Sequence, residues 1–131
     1  MPLIENDVTF AFLNSLDPKF KLADRIFNKI RSGVLKVSLS SVALVEMELV
    51  YRSEGREDAL LTDMAALTSI PNAVVEPLTP DLALSAVFLR QTFRLGFFDS
   101  HYAATALKLD GSIISFDRAY DDVKGLKRID P

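Results

Sequence analysis

The chain has 131 residues, of which 49% are hydrophobic and 25% charged, and its formal net charge is −3 at pH 7. These values are typical of a globular protein, and the length predicts a single domain over residues 1–131 that buries about two-thirds of its unfolded surface. The lack of cysteine excludes disulfides and thiolate metal sites, and the acidic balance excludes a polycation that binds nucleic acid through its overall charge.

Short apolar strands alternate with helices in the first half of the chain. Asp17-Pro18 is a typical helix start, with Asp as the N-cap and Pro in the first turn, and Gly33 ends that helix. Ser40 or Ser41 caps the next helix. The predicted elements are a strand at residues 3–4, helices at 8–16 and 17–32, a strand at 34–39, and helices at 42–52 and 56–68.

The second half continues the same alternation. Thr79-Pro80-Asp81 predicts another helix start, and Gly96 separates that helix from the next one, which is rich in alanine. The predicted elements are a strand at residues 73–75, helices at 79–94 and 97–110, and strands at 113–116 and 127–129.

Strands that alternate with helices predict an α/β fold with three layers, in which helices cover both faces of a mostly parallel sheet of four to five strands. Right-handed crossovers bring the carboxyl ends of all strands to one edge of such a sheet. We find no apolar run of about 18 residues and no signal peptide, so we expect a cytoplasmic protein without a membrane segment.

Acidic side chains are predicted to gather at this edge, where ligands bind in open α/β sheets. Asp117 follows the strand at residues 113–116, and Glu5 and Asp7 follow the first strand. Asp99 lies near the start of a helix, where an acid also has a purely structural explanation as a cap. Glu46 lies in an apolar helix segment, so its carboxylate needs a partner or a metal.

The chemistry of such a cluster favours a cation. Two carboxylates about 5 Å apart repel each other by roughly 3 kcal/mol at an effective dielectric constant of 20. Oxygen ligands without cysteine or a second histidine favour Mg²⁺ or Mn²⁺. A hard divalent ion activates water and neutralises charge on a phosphate, so the acids predict phosphodiester hydrolysis.

Two further features have a functional and a structural interpretation. His101 is the only histidine, and we expect a surface or capping residue rather than a proton shuttle. One face of the helix at residues 17–32 carries five basic residues against Asp24 alone, and this face either contacts a phosphate backbone or is simply solvated. The basic residues are Lys19, Lys21, Arg25, Lys29 and Arg31.

Four segments together resemble the PIN domain, the fold of the VapC-type toxin ribonucleases, over nearly the whole chain. The first has an apolar strand followed by Asp-Thr-Asn or Asp-Thr-Asp in the family. The second leads from a Ser/Thr-rich helix start to a Glu, the third begins an alanine-rich helix with an Asp, and the fourth ends a strand with Thr/Ser-x-Asp. Here they are Leu3-Ile4-Glu5-Asn6-Asp7-Val8, Ser40-Ser41-Val42-Ala43-Leu44-Val45-Glu46, Phe98-Asp99-Ser100-His101-Tyr102-Ala103-Ala104, and Ile113-Ile114-Ser115-Phe116-Asp117.

The resemblance implies an acidic metal site made of Glu46, Asp99 and Asp117, with Ser115 as a neighbouring hydroxyl. The sequence departs from the family at Glu5, which replaces the leading Asp, so either Glu5 or Asp7 is the first ligand. The resemblance further implies Mg²⁺ or Mn²⁺ as cofactor, RNA as substrate, a homodimer, and a protein antitoxin that blocks the site.

Two other functions stay open at this point. Glu5 in the leading position is compatible with a PIN fold that has lost catalysis and binds RNA or a protein. A cluster of acids is equally compatible with a different Mg²⁺-dependent α/β enzyme, such as a phosphatase.

Overall fold

Five parallel strands form the centre of the computed structural model, which describes residues 1–131. The strands are β1 (Leu3–Ile4), β2 (Val37–Ser40), β3 (Ala73–Glu76), β4 (Ser112–Ile114) and β5 (Lys127–Ile129). The helices are α1 (Asn6–Leu13), α2 (Phe20–Arg31), α3 (Ser41–Ser53), α4 (Glu57–Thr68), α5 (Pro80–Phe93) and α6 (Phe97–Lys108), and a 3₁₀ helix spans Arg118–Asp122.

The strand order in the sheet is β3-β2-β1-β4-β5, so β1 lies at its centre, between β2 and β4. Every neighbouring pair is parallel, and Leu3 is in register with Ile113 on β4 and with Ser38 on β2. Because β1 pairs with β2 on one side and with β4 on the other, the chain reverses its winding direction there. This switch point is where open α/β sheets bind their ligands.

The two faces of the sheet are covered by separate hydrophobic cores, because successive strand side chains point in opposite directions. Leu3 and Ile113 pack with α5 and α6 on one face. Ile4 and Ile114 pack with α1, α2 and the buried part of α4 on the other. The predicted three-layer α/β/α architecture with a parallel sheet is therefore confirmed. No helix has the length and apolar character needed to cross a lipid bilayer.

Several predicted boundaries are wrong by two to three residues. Helix α1 begins at Asn6 instead of residue 8, because the Glu5 carboxylate caps it by accepting the Asp7 N–H. Asp17 caps a turn that precedes α2: its Oδ1 accepts the Lys19 N–H at 2.8 Å. Strand β2 begins at Val37 because Gly33, at a φ of 81°, turns the chain and leaves Val34 77% exposed.

Candidate active site

The candidate site lies at the carboxyl edge of β1, the central strand, and of its neighbour β4. The N–H of Glu5 donates to the Ile114 carbonyl at 3.1 Å and extends the ladder between the strands by one residue. Glu5 is therefore the first residue after β1 and Ser115 the first after β4, and both side chains are buried. This pairing explains how residues from opposite ends of the chain reach one place.

Glu5 is held by two contacts at the base of the site. Its Oε1 accepts the Asp7 N–H at 3.2 Å, and its Oε2 lies 3.1 Å from the Ser115 hydroxyl. Burial and, to a smaller extent, the negative charge of Asp7 raise the pKa of Glu5 to about 10. In the absence of a cation, Glu5 is therefore a neutral carboxylic acid at pH 7.

Ser115 connects the acids of the two strands. Its Oγ lies 3.0 Å from Asp7 Oδ2 as well as near Glu5, and it accepts the Asp117 N–H at 2.9 Å. A hydroxyl has only one hydrogen, so it cannot donate to two carboxylates at once. A protonated Glu5 that donates to Ser115 resolves this conflict, because Ser115 then donates to Asp7.

One carboxylate oxygen of Asp7 accepts hydrogen bonds, and the other has no hydrogen-bond partner. Oδ2 accepts from Ser115 and from the Phe116 N–H, the latter at 2.8 Å. Oδ1 is buried and has no hydrogen-bond partner. A buried carboxylate oxygen without a partner costs free energy, so Asp7 Oδ1 is a candidate to coordinate a cation.

Glu46 projects from α3 and is fixed by two residues that the sequence analysis did not single out. The Asn6 side-chain amide donates to its Oε1 at 2.9 Å, and the Tyr102 hydroxyl donates to the same atom at 2.8 Å. The amide also contacts the Ala43 carbonyl at 2.8 Å. Both hydrogen bonds to Glu46 are on Oε1, which leaves Oε2 for another contact.

Asp99 is the third residue of α6 and is half-buried. Burial raises the pKa of Asp99, and the negative charges of Asp117, Glu46 and Asp7 add to this effect, whereas the Tyr120 hydroxyl opposes it. Because each of these three acids acts on Asp99, all of them share one electrostatic environment. The predicted site residues are thus brought together at one edge of the sheet.

Asp117 lies at the outer rim of this cluster. It is exposed and caps the 3₁₀ helix, with Oδ1 accepting the Ala119 N–H at 2.9 Å. Tyr120, one turn later, is fully buried, and its hydroxyl lies near enough to Asp99 to lower the pKa of that carboxyl but forms no well-aligned hydrogen bond. We define the acid cluster as Glu5, Asp7, Glu46, Asp99 and Asp117.

The donor set of the acid cluster fits a hard divalent cation. No group of three acidic or histidine side chains is close enough to form a closed metal site. Mg²⁺ does not require one, because it retains several waters and is held in proteins by one or two carboxylates. The unpartnered Oδ1 of Asp7 and the mutual repulsion of the acids both favour a cation. Asn6 Oδ1, also buried without a partner, adds a neutral oxygen.

The sequence offered partial signals for the residues it missed. Tyr102 follows Asp99 by three positions on α6, which places both on one helix face. Asn6 lies between two candidate acids, but only the fold shows that its amide turns toward Glu46. The expectation of a surface or capping role for His101 is wrong. His101 is buried, its ring lies 5.2 Å from that of Phe97, and its Nδ1 has no partner.

Comparisons with known proteins agree with this architecture. A sequence profile of the PIN domain matches residues 7–126, so Glu5 lies just outside the matched range. No curated protein sequence matches the chain significantly.

Solved structures with the same fold include two toxin–antitoxin systems. A toxin-antitoxin complex from Klebsiella pneumoniae has a chain that is 16% identical, with a TM-score of 0.68, and the match covers 97% of this chain and 96% of the other. VapBC2 from Rickettsia felis, bound to a DNA fragment from its promoter, has a chain that is 10% identical, with a TM-score of 0.74 and the same coverage of 97% and 96%.

Proposed function

Because the chain belongs to the PIN domain family, we propose that it is a metal-dependent endoribonuclease that hydrolyses the phosphodiester bonds of RNA. PIN domains are generally nucleases that need divalent metal ions, and Mg²⁺ or Mn²⁺ is the proposed cofactor here. The observation that carries the proposal is the convergence of the acid cluster: burial raises the pKa of Asp99, and the charges of Asp117, Glu46 and Asp7 raise it further.

Each residue has a distinct proposed role. Asp7, Asp99 and Asp117 would hold the cation, in part through its bound waters, and Glu46 would hold it directly or through a water molecule. Glu5 replaces Asp7 as the first ligand if the cation displaces its proton. Ser115 is a positioning residue that orients Asp7.

The network around these acids suits catalysis because it is formed before substrate arrives. When bound, a divalent cation lowers the pKa of water and neutralises the charge that develops on a phosphate. Asn6 and Tyr102 hold Glu46 in one orientation, and the Phe116 N–H holds Asp7. Fixed acids need no rearrangement during the reaction, and such preorganisation is a large part of electrostatic catalysis.

Cleavage of RNA by purified protein tests this proposal, with and without Mn²⁺ or Mg²⁺. Asp99→Asn and Asp117→Asn should each lower the metal-dependent rate about a hundredfold or more. Asp58→Asn, an exposed acid on α4, is the matched control and should keep the rate of the unmodified protein. Equal cleavage by all variants, or equal cleavage without metal, overturns the proposal. Hydrolysis of p-nitrophenyl phosphate with none of RNA favours a phosphatase.

The proposed biological role is the toxin of a toxin–antitoxin pair, located in the cytoplasm. Its support is the shared fold with the toxin-antitoxin complex of Klebsiella pneumoniae and with VapBC2 of Rickettsia felis. A protein antitoxin that covers the acid cluster is the proposed partner. Growth arrest on expression, which Asp99→Asn abolishes, tests this role.

A homodimer is the proposed assembly, since several large apolar side chains are exposed on the helices. Val45 and Leu49 on α3 are 50% and 53% exposed, and Leu61 on α4 is 80% exposed. Val45→Glu with Leu49→Glu should convert a dimer to a monomer in light scattering if α3 forms the interface. A monomeric unmodified protein overturns this part of the proposal.

A binding module without catalysis is the second candidate, and the raised pKa of Glu5 favours it. A neutral, buried acid in the leading position is a poorer metal ligand than an ionised Asp. Calorimetric titration with Mn²⁺ separates the two functions, because a degenerate site binds the ion weakly or not at all.

A further inference from the structure

Helix α2 presents an unpaired row of basic side chains to solvent. Lys21, Arg25 and Lys29 follow each other at intervals of four residues, so they lie on one face of the helix, and all three are exposed. None of them forms an ion pair, whereas Arg31 pairs with Asp24 at 3.6 Å. We call Lys21, Arg25 and Lys29 the basic stripe.

The N-terminal end of α2, from which the basic stripe starts, lies at the rim of the acid cluster. Helix α2 leads into β2, so it runs opposite to the strands and its first turn lies at their carboxyl edge. At this turn the Lys19 ammonium lies 4.6 Å from the centroid of the Phe116 ring. The backbone N–H of Phe116 donates to Asp7, so Phe116 lies at the rim of the site. Its contact with the Phe116 ring therefore places Lys19 at the same rim.

The basic stripe is a local positive surface on a chain whose net charge is −3. The acid cluster repels a polyanion, so a nucleic acid strand needs cations outside the cluster as well as a metal within it. The stripe extends about 12 Å along α2, at a rise of about 1.5 Å per residue. Neighbouring members of the stripe are therefore about 6 Å apart along the helix axis, so their long side chains can each reach a different phosphate of an extended single strand.

We propose that Lys19 and the basic stripe form the path along which single-stranded RNA enters the acid cluster. In this arrangement Lys19 contacts the phosphate next to the reacting one, and Lys21, Arg25 and Lys29 contact successive phosphates down the side of α2. The half-buried Phe116 ring holds the Lys19 ammonium in place through a cation–π contact. The inference rests on the proposed function and assigns the substrate path to this helix.

Binding of RNA without cleavage tests the path separately from the chemistry. The measurement is fluorescence anisotropy of a labelled single-stranded RNA of about 12 nucleotides, with all variants in an Asp99→Asn background. The test variant is Lys21→Gln/Arg25→Gln/Lys29→Gln. The matched control removes the same charge from exposed lysines near the opposite edge of the sheet: Lys108→Gln/Lys124→Gln/Lys127→Gln.

The stripe variant should weaken RNA binding about tenfold or more, and the slope of log K against log salt should decrease by about 2. The control should bind like its parent. Equal binding by both triple variants, or no RNA binding by the parent, overturns the inference. A stripe variant that loses only the binding of an acidic peptide also overturns it, since the stripe then serves a protein partner.

Lys19 gives a second test in the cleaving protein. Lys19→Gln should raise KM for RNA with little change in kcat, and Lys19→Arg should restore KM because it keeps the charge and the contact with Phe116. An unchanged KM in Lys19→Gln contradicts the assignment of Lys19. If the protein binds RNA through the stripe but does not cleave it with any metal ion, the proposed nuclease function is overturned. The inference that RNA follows α2 then still stands.

Discussion

The hydroxyl of Ser115 lies 3.0 Å from the carboxylate of Asp7, although 108 positions separate the two residues in the chain. The contact joins the residue after β4 to the first turn of α1. The same hydroxyl is close to Glu5 and accepts the N–H of Asp117. One small side chain thus fixes the relative positions of three acids of the cluster.

Replacing Ser115 with Ala should disturb both folding and function. The change leaves the Asp117 N–H and one Asp7 oxygen with fewer partners, so the free energy of unfolding should fall by about 1–3 kcal/mol. Urea unfolding measures this loss, and the rate of RNA cleavage should fall at least tenfold. Ser115→Thr keeps the hydroxyl and should retain more activity than Ser115→Ala. Equal activity in the two variants argues against a positioning role.

The fold followed from the sequence because its signals are local. Alternating apolar runs and the Thr79-Pro80 helix start gave the order of the elements, and Thr79 does cap α5 by accepting the Leu82 N–H. The early start of α1 was missed because Glu5 is an uncommon N-cap. The start of β2 was misplaced because Val34 is apolar yet largely exposed.

The site was predictable only as a set of acids. The carboxyl ends of parallel strands lie at one edge of the sheet, so the sequence indicated Glu5, Asp7 and Asp117. The state of each acid depends on distant neighbours, such as the Tyr102 hydroxyl on Glu46, and on burial, as for Glu5. No local pattern reports such contacts, so the roles of individual acids remained open.

Glu5→Gln should stabilise the metal-free protein in a manner that depends on pH. Folding raises the pKa of Glu5 from 4.5 to about 10. The contribution of such a carboxyl to stability is complete below pH 4.5 and is lost as the pH rises toward 10. Gln keeps the shape and does not ionise. The Tm of Glu5→Gln in EDTA should therefore match that of the unmodified protein near pH 4 and exceed it by about 5 °C or more near pH 8.

The control for this measurement is Glu48→Gln, which changes an exposed acid on α3. Its Tm should differ little from that of the unmodified protein at either pH. A difference for Glu5→Gln that is the same at low and high pH contradicts the neutral state assigned to Glu5.

Tyr102→Phe should weaken metal binding, an effect that a comparable loss of stability elsewhere in the protein does not produce. The variant removes the 2.8 Å hydrogen bond to Glu46 Oε1 and leaves the ring packing in place. Partners that orient metal ligands contribute about 10–100-fold to affinity, so Mn²⁺ binding measured by calorimetry should weaken by about that factor.

Tyr51→Phe is the matched control, because Tyr51, near the C-terminal end of α3, also donates to an acid, Asp63 on α4, at 2.6 Å. Both variants lose one hydrogen bond to a carboxylate, so both should lose about 1.5–3 kcal/mol of stability. Only Tyr102→Phe should lose Mn²⁺ affinity. Similar Mn²⁺ affinity in the two variants rules out a special role for Tyr102.

Gly96 is the N-cap of α6, and it provides the space for the Asp99 carboxylate. A Cβ atom on Gly96 would lie 3.2 Å from Asp99 Oδ2, which is closer than a comfortable contact. Gly96→Ala should therefore displace Asp99 by a few tenths of an ångström, and the rate of metal-dependent RNA cleavage should fall about tenfold. Ala is also a poor N-cap, so the free energy of unfolding should fall by about 1 kcal/mol.

Gly96→Ser distinguishes the steric effect from the capping effect. Ser adds the same Cβ atom but is a good N-cap, so its stability should equal or exceed that of the unmodified protein. If space for Asp99 matters, Gly96→Ser loses RNA cleavage as Gly96→Ala does, although only the Ala variant is destabilised. Full cleavage by Gly96→Ser would show that Asp99 tolerates the displacement, or that its position does not limit the reaction.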